Sequence, residues 1–552
     1  MKDLIEKLYP KDKDKVLKDI EKLVEKYQPV FSQIDNVPLS HKDAILITYG
    51  DAIQRNGITP LATLFNFSEE YLRDCISSIH LLPCFPYTSD DGFSVVDFYT
   101  IDPQLGSWQD IDSLKDNFYL MFDAVVNHMS QASDWFQGFL NSHPDYKDYF
   151  IEVDPALDYS EVVRPRALPL FHKYSRGEED VYVWTTFSRD QVDLNFKSYK
   201  VFIQVLDVLL FYASKGARFI RLDAIAFLWK KIGTTCLHLE ETHNVIQAYR
   251  KVMEHIGAAT ILITETNVPH QENISYFGDG YNEAHMVYNF SLPPLLAFSL
   301  MEEDVSVLTQ WSKSLELPGD HTCFFNFTAS HDGIGVRPLQ GIVPNDKIQQ
   351  LAEQAIDHGG FVSYKDNGDG TQSPYELNCN YMDLLTHPDE SDEIRISKFL
   401  LTQSVMLSIP GVPGIYYHSI LGSRNDRNGA IQSGINRRIN REKLDFEVLT
   451  AELESYDSFR SKVFRPYSSM LKVRRSDECF EPYGKAEYFS FGPLYIIKRT
   501  LGLNEMICVH NFSGNTLALD FLENDYFDLL TSEHVNSANE IEGFGFKWLK
   551  IR

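Results

Sequence analysis

Arg221 and Asp223 lie in the middle of the mostly apolar segment ARFIRLDAIAF at 217–227. Alternate side chains of a β-strand share a face, so Arg221 and Asp223 point the same way. Burying a charge is costly unless the charge is paired and hydrogen-bonded. An arginine beside a carboxylate favours its ionised form, which a nucleophilic carboxylate needs. The segment therefore predicts a catalytic carboxylate at a strand end, although a lone Arg-x-Asp is more often a structural ion pair.

Other chemically capable residues follow other apolar segments. Glu265 ends ATILITE, Asp332 ends CFFNFTASHD, and Asn127 and His128 end LMFDAVVNH. Two carboxylates, one nucleophile and one acid/base, are what cleavage of a glycosidic bond with retention requires. Glu265, among apolar neighbours and near other carboxylates, suits the protonated role. Each residue alone fits a helix cap or a core histidine, but their shared position at strand ends predicts one site.

These strand ends belong to a regular pattern of apolar segments alternating with helical segments. The predicted strands are 44–50, 78–85, 120–128, 217–224, 259–266, 284–290, 323–332 and 411–419. Eight such strands predict an α/β fold, a closed parallel (β/α)₈ TIM barrel with its chemistry at the carboxyl ends of the strands. Long connections after strands 3 and 7 predict inserted subdomains. Alternating strands near the end of the chain predict a C-terminal antiparallel β domain.

The domain boundaries follow from this pattern. The first 40 residues carry Leu4, Ile5 and Leu8 at helical spacing and form a helical extension. The barrel occupies three stretches, at 41–128, 196–332 and 399–475. The two inserted subdomains occupy 129–195 and 333–398, and the C-terminal β domain occupies 476–552.

The amino-acid composition of the chain limits which classes of molecule it can bind. The 552 residues carry a formal net charge of −27, which argues against nucleic acid and requires local cations around any anionic ligand. Seven dispersed cysteines indicate reduced thiols and a cytoplasmic protein. The start of the chain is charged and helical, and no apolar segment predicts a signal peptide or a membrane span.

Four motifs resemble the signature regions of the α-amylase superfamily, glycoside hydrolase family 13. They are DAVVNH, FIRLDAIAF, LITETN and TASHDG, in that order, and QVDLNF at 191–196 resembles a fifth family segment. SDDGF, VRPRALP, SPYELN and INRRINRE extend the likeness, over about 40–475, to the sucrose phosphorylase subfamily. ETNVPH and LGSRND place it nearest the branch that contains the glucosylglycerate phosphorylases.

The resemblance implies roles for individual residues. Asp223 is the nucleophile that forms a β-glucosyl ester, Glu265 the general acid/base, and Asp332 the stabiliser of the oxocarbenium-like transition state. The pocket for one glucosyl unit comprises Asp90, Phe93, His128, Arg221, His331 and Arg437. In this pocket Asp90 and Arg437 clamp the far hydroxyls, and Phe93 supplies an apolar platform.

The resemblance also implies a site for phosphate and the acceptor. Arg166 is the candidate phosphate ligand because a guanidinium binds phosphate bidentately. Tyr375 resembles the phosphate-contacting tyrosine of the family, and Glu376 lies beside it. Sucrose phosphorylases carry a histidine where Asn267 stands, which favours a small acceptor such as glycerate over sucrose chemistry. The DNGDG segment at 366–370 has the wrong spacing for a calcium loop, so neither a metal nor a cofactor is predicted.

The predicted reaction is phosphorolysis of glucosylglycerate to α-D-glucose 1-phosphate and D-glycerate, with retention. Its partners are the small α-glucoside and inorganic phosphate, and a homodimer is the assembly considered. Phosphorolysis with fructose, fructose 6-phosphate or glycerol as acceptor remains an alternative, as does a hydrolase or transglucosylase of the same family. A non-catalytic amylase-like binding protein is disfavoured because Asp223, Glu265 and Asp332 are all present.

Overall fold

A closed barrel of eight parallel strands forms the centre of the fold, as predicted. The computed structural model describes residues 1–32, 37–165, 168–367 and 370–551. The barrel strands, in chain order around the barrel, are β1 Ile45–Thr48, β2 Ser78–Leu81, β3 Tyr119–Ala124, β4 Ala217–Leu222, β5 Ile261–Thr264, β6 Met286–Tyr288, β7 Cys323–Phe327 and β8 Val412–Tyr416. Nearly every residue in them is buried, which explains why parallel strands covered on both faces read as continuous apolar segments.

All eight strands end earlier than the apolar segments predicted, and in two of them this leaves predicted site residues well beyond the end of the strand. β3 ends at Ala124, so Asn127 and His128 lie beyond it, and β7 ends at Phe327, five residues before Asp332. The residues after Ala124 remain buried, Val125 at 1% exposure and Val126 at 0%. Apolarity therefore marks burial there and not the end of the strand.

Helices connect the barrel strands and extend the chain at its start. Their bounds are Lys2–Leu8, Lys13–Phe31, Pro60–Phe67, Trp108–Lys115, Asp134–Leu140, Tyr199–Ser214, Glu240–His255, His270–Ile274, Leu292–Glu302, Ser306–Lys313, Asn345–Asp357, Tyr381–Leu385, Asp392–Ser408, Tyr417–Ile420, Arg427–Ser433, Phe446–Glu454 and Phe459–Ser476. The first two pack on the helices at 199–214 and 240–255, and the hydroxyl of Tyr9 donates to the carbonyl of Phe196 over 2.7 Å. Among the described residues, no helix is both long and apolar enough to span a membrane.

Both long connections contain antiparallel strands. In the first, Phe171–Arg176 pairs with Glu179–Trp184, and His128–Ser130 pairs with Gln191–Asp193. In the second, three strands form what we call the insertion sheet, in the order Ile334–Gly335, Gln372–Asn378, Phe361–Asp366.

A six-stranded antiparallel sheet follows the barrel. Its strands, in spatial order, are Lys485–Phe491, Leu494–Leu501, Asn504–Asn511, Phe546–Ile551, Tyr526–Asp528 and His534–Val535. Two further pairs of short strands are Ile53–Gln54 with Leu444–Asp445 and Leu517–Ala518 with Glu540–Ile541.

The contacts divide the chain into two compact units. The first comprises Met1–Val37, His80–Thr266 and Glu272–Val287, and contains β3, β4 and β5. The second comprises Pro38–Ile79, Asn267–Gln271 and Tyr288–Arg552, and contains β1, β7 and β8.

Within the second unit, two buried arginines bind backbone carbonyls near the end of the barrel, and one of them, Arg499, comes from the C-terminal sheet. Arg474 donates to the carbonyls of His41, Asp43, Leu407, Gly411 and Phe480. Burial lowers its pKa to about 9. Arg499, in the C-terminal sheet, donates to Ser408 over 2.8 Å and to Glu481 over 2.6 Å. Carbonyls from distant parts of the chain are thereby satisfied by two side chains.

Candidate active site

Arg221 joins the two carboxylates predicted to be the nucleophile and the acid/base. It lies on β4 with only 2% exposure. Its Nη1 donates to Asp223 Oδ1 over 2.8 Å, and its Nη2 lies 3.7 Å from Glu265 Oε1. The backbone N–H of Ala224 donates to Glu265 Oε2 over 3.0 Å. Asp223 and Glu265 each follow their strand directly, so adjacent parallel strands deliver both carboxylates to one guanidinium.

A third carboxylate holds Arg221 from the neighbouring strand. Asp123 on β3 lies directly opposite Arg221 in the parallel register and accepts a hydrogen bond from its Nη1. His80 Nε2 lies 2.7 Å from the other oxygen of Asp123. Burial lowers the pKa of His80 despite this carboxylate, so the neutral ring donates its Nε2 hydrogen. Asp123 thus fixes the position of the Arg221 guanidinium, which also contacts Asp223 and Glu265.

His128 borders the same region from the segment after β3. Its Nε2 donates to the carbonyl of Phe93 over 2.9 Å, and burial lowers its pKa, so the ring is neutral. Gln191 also donates to the Phe93 carbonyl over 3.1 Å and to Asp90 Oδ2 over 3.2 Å. The Cζ atom of Arg221 lies over the Phe93 ring, 5.7 Å from the ring centroid. The structure therefore brings Asp90, Phe93, His128 and Arg221 together.

A buried ammonium supports His128 from its other side. Lys230 Nζ lies 2.6 Å from Asp193 Oδ2 and donates to Asn127 Oδ1 over 2.7 Å. The Asn127 amide nitrogen then faces His128 Nδ1 at 3.2 Å and donates to it. Lys230 is 5% exposed, and burial lowers its pKa against the attraction of Asp193. This network fixes the tautomer of His128 that donates to Phe93.

Asp332 belongs to a second cluster, within the second unit. Arg437 Nη1 lies 2.6 Å from Asp332 Oδ1, and its Nε and Nη2 bind the two oxygens of Glu376 at 3.0 and 2.6 Å. Arg441 Nη2 lies 3.7 Å from Asp332 Oδ1, and His331 Nε2 lies 3.5 Å from it. Glu376 is 3% exposed, so its contacts to Arg437 are shielded from water. The predicted acceptor residue Glu376 therefore contacts the predicted sugar clamp.

The remaining acceptor candidates lie beside the insertion sheet. Asn267 packs on Gly335, where an added Cβ would lie 2.4 Å from the Asn267 amide nitrogen. The carbonyl of Tyr375 accepts from the backbone N–H of Val336 over 3.1 Å, and its side chain is half-buried. Arg166, the predicted phosphate ligand, lies outside the described residues.

Several residues of these clusters were missed in the sequence. Asp123 interrupts an apolar strand just as Arg221 does, so the same signal was present. His80 and Lys230 gave no signal, since a single histidine or lysine in an apolar segment is ordinarily structural. Among the described residues, no group of histidine, cysteine and carboxylate side chains could hold a metal ion.

The first cluster, which comprises Asp123, Arg221, Asp223, Glu265 and the network of His128 and Lys230, has the groups that a double displacement needs. It offers one carboxylate to attack an anomeric carbon and another to protonate the departing oxygen. Its arginine is 2% exposed and contacts both carboxylates.

Comparison with known proteins identifies the family. The model of the α-amylase catalytic domain matches residues 70–332. The glucosylglycerate phosphorylase of Spirochaeta thermophila is 49% identical over 451 residues, covering 82% of this chain and 76% of that protein. The chain belongs to the α-amylase family. A second glucosylglycerate phosphorylase, from Escherichia coli, is 47% identical over 441 residues, 80% of this chain and 79% of that protein.

A solved structure supports the fold. The sucrose 6F-phosphate phosphorylase of Thermoanaerobacter thermosaccharolyticum superposes with a TM-score of 0.75 at 24% identity. The match covers 87% of this chain and 94% of that one. This α-amylase-family chain thus has the predicted barrel with a C-terminal antiparallel sheet.

Proposed function

We propose that this protein is a retaining phosphorylase that converts glucosylglycerate and phosphate into α-D-glucose 1-phosphate and D-glycerate. We infer the substrates from three relatives at 47–49% identity, which are glucosylglycerate phosphorylases. The observation that carries the chemistry is the pair of carboxylates, Asp223 and Glu265, bound to the one buried guanidinium of Arg221.

The proposed reaction has two displacements. Asp223 attacks the anomeric carbon and the glycosidic C–O bond breaks, while Glu265 gives its proton to the departing glycerate oxygen. A phosphate oxygen then attacks the same carbon, the ester bond to Asp223 breaks, and the phosphate proton passes to Glu265. Two inversions leave the product with the α configuration of the substrate.

The supporting residues have proposed roles in the same cycle. Arg221 keeps Asp223 ionised and oriented, and the neutral His128 contributes to the glucosyl pocket beside Asp90 and Phe93. We assign to Asp332, with His331 and Arg437, the binding of sugar hydroxyls as positive charge develops on the ring. These roles rest on the family motifs and on the contacts within each cluster.

Phosphate and the acceptor occupy the space next to the glucosyl unit in turn. We assign phosphate binding to Arg166 with Tyr375, and contact with the acceptor to Asn267. For Glu376 we propose the positioning of Arg437, since both its oxygens bind that guanidinium. A cytoplasmic location, a homodimer and the domain boundaries given above also remain proposals.

Product analysis tests the function directly. The enzyme is incubated with glucosylglycerate and increasing phosphate, and glucose 1-phosphate and glucose are measured. We expect glucose 1-phosphate to dominate at saturating phosphate, and Asp223→Asn to form neither product. Glucose as the only product would make the protein a hydrolase.

The phosphate assignment has its own variant. Arg166→Ala should raise KM for phosphate about 10-fold or more, because a charge-assisted contact of ~1.5–3 kcal/mol is lost. The hydrolysed fraction should rise with it, since the glucosyl ester still forms and waits longer. Arg164→Ala, two residues away, is the matched control. An unchanged product ratio would place the phosphate site elsewhere.

A further inference from the structure

Two cations of the second insertion are half-buried, and no acidic side chain that the structure describes pairs with either of them. Arg337 starts the turn after the first strand of the insertion sheet, and Lys365 lies in its edge strand. Within the described ranges, neither side chain makes an ion pair or a hydrogen bond. The chain carries a net charge of −27, so two cations without a carboxylate partner among the described side chains are unusual in it. A half-buried charge without a partner costs free energy that a bound anion can offset.

The strand register places Lys365 on the side of the sheet that holds Glu376. Ser363 pairs directly with Glu376, so their side chains share a face. Asn378, two residues after Glu376, confirms this face by donating to the Ser363 hydroxyl over 2.9 Å. The register shifts between Ser363 and Tyr364, where Tyr375 is the extra residue of the partner strand. The strand that carries Lys365 has no extra residue there, so Lys365, two residues after Ser363, lies on the same face as Ser363. That is the face on which Glu376 binds Arg437.

Arg337 reaches the same region from the other edge of the sheet. The residue before it, Val336, bonds to Tyr375. Lys365 pairs with Ser373, two residues before Tyr375, so the two cations flank the same stretch of the central strand from its two sides. Burial lowers the pKa of Lys365, and the positive charge of Arg337 lowers it further. Asn267 lies against Gly335 two residues earlier, and its amide oxygen is buried without a partner among the described residues. Two cations and an amide thus border one part of the second unit.

The positive charge and the hydrogen-bond donors of Arg337 and Lys365 indicate an anionic ligand. A guanidinium binds the two oxygens of a carboxylate side by side, and an ammonium adds a second charge. We propose that Arg337 and Lys365 bind the carboxylate of the acceptor and so make the enzyme select glycerate over neutral polyols. This assignment rests on the proposed phosphorylase function and refines it. Glycerol, which has a hydroxymethyl group in place of the carboxylate, lacks the group that this pair binds.

Acceptor kinetics test the pair. Wild type, Arg337→Gln and Lys365→Met are supplied with α-glucose 1-phosphate and either D-glycerate or glycerol, and phosphate release is measured. We expect KM for glycerate to rise about 10- to 100-fold in each variant, as for a lost charge-assisted contact. The kcat/KM for glycerol should stay within about twofold. Lys347→Met, which removes a lysine of the same insertion that pairs with Glu302, is the matched control.

Two further measurements keep the outcomes distinct. Hydrolysis of α-glucosyl fluoride without acceptor should be unchanged, which shows that the variants fold and that the glucosyl pocket is intact. Arg337→Lys keeps the charge but not the paired donors, and we expect it to restore part of the glycerate affinity.

Each remaining outcome rejects the pair as the carboxylate site. Parallel losses with glycerate and glycerol would mean a general distortion. A rise in KM for phosphate alone, or equal to that for glycerate, would mean a phosphate or unselective anion site. If the wild-type enzyme transfers glucose only to neutral acceptors, both the proposed glucosylglycerate phosphorylase function and the proposed carboxylate site are rejected. If wild type uses glycerate and the variants match it, the pair alone is rejected.

Discussion

Glu376→Gln separates a positioning role for Glu376 from contact with the acceptor. The carboxylate is 3% exposed and binds Arg437 through both oxygens, at 3.0 and 2.6 Å. The side chain of Gln at this position keeps one acceptor oxygen, and its NH₂ group faces a donor N–H of Arg437. One charge-assisted bond is lost, at about 1.5–3 kcal/mol. Because the same guanidinium binds Asp332, we expect the loss in the binding of the glucosyl unit.

The expected magnitude is a fall of roughly 10- to 100-fold in kcat/KM, since about 1.4 kcal/mol corresponds to a factor of ten. The assay compares α-glucosyl fluoride with α-glucose 1-phosphate as donors, and glycerate with glycerol as acceptors. The fall should be the same for both donors and both acceptors. Glu353→Gln, on the exposed side of the same insertion, is the control. If only the acceptor KM rises while donor kcat/KM stays within twofold, Glu376 contacts the acceptor and our reasoning is wrong.

Three further variants test the first cluster. Asp223→Asn should retain the fold, since Asn can still accept from Arg221, but lose nearly all turnover; residual phosphorolysis with retention would refute the nucleophile. Glu265→Gln should lose glucosylglycerate cleavage but still form the glucosyl-enzyme from α-glucosyl fluoride, whose departure needs little protonation. Equal losses with both substrates in rapid-quench measurements would exclude the acid role. Lys230→Met should lower the free energy of unfolding by about 3–5 kcal/mol in urea titrations, because Asp193 stays buried without its partner. Lys231→Met, at the exposed neighbouring position, should change it little.

The barrel was predictable because its strands are buried on both faces. The apolar segments at 217–224 and 259–266 indicated buried strands, and the shared position of the charges at their ends predicted one site. The strand ends themselves were less certain, since Val125 and Val126 are as buried as the strand before them. The family and the fold are confirmed, whereas the roles of the individual residues remain predictions.

The contacts around the charges could not be predicted from sequence spacing. Arg437 and Glu376 are 61 residues apart, yet the insertion sheet brings them together. Asp123 faces Arg221 across 98 residues, through the register of parallel strands. Such pairs depend on which strands are neighbours and on the residue at which pairing starts, and a single sequence specifies neither.

The two arginines of the second unit have a consequence for how the chain is synthesised. Arg499 satisfies the carbonyl of Ser408, which lies 91 residues earlier. On the ribosome, the segment leading into the last barrel strand therefore emerges long before the side chain that completes its hydrogen bonding. A chain that ends before the C-terminal sheet would expose to water the carbonyl of Ser408 and the surface at Ser404 that His510 and Trp548 contact, and quality-control proteases act on such a product. The barrel is therefore complete only when the C-terminal domain has folded onto it. A protein fused to this chain should follow the C-terminal domain and should not replace it.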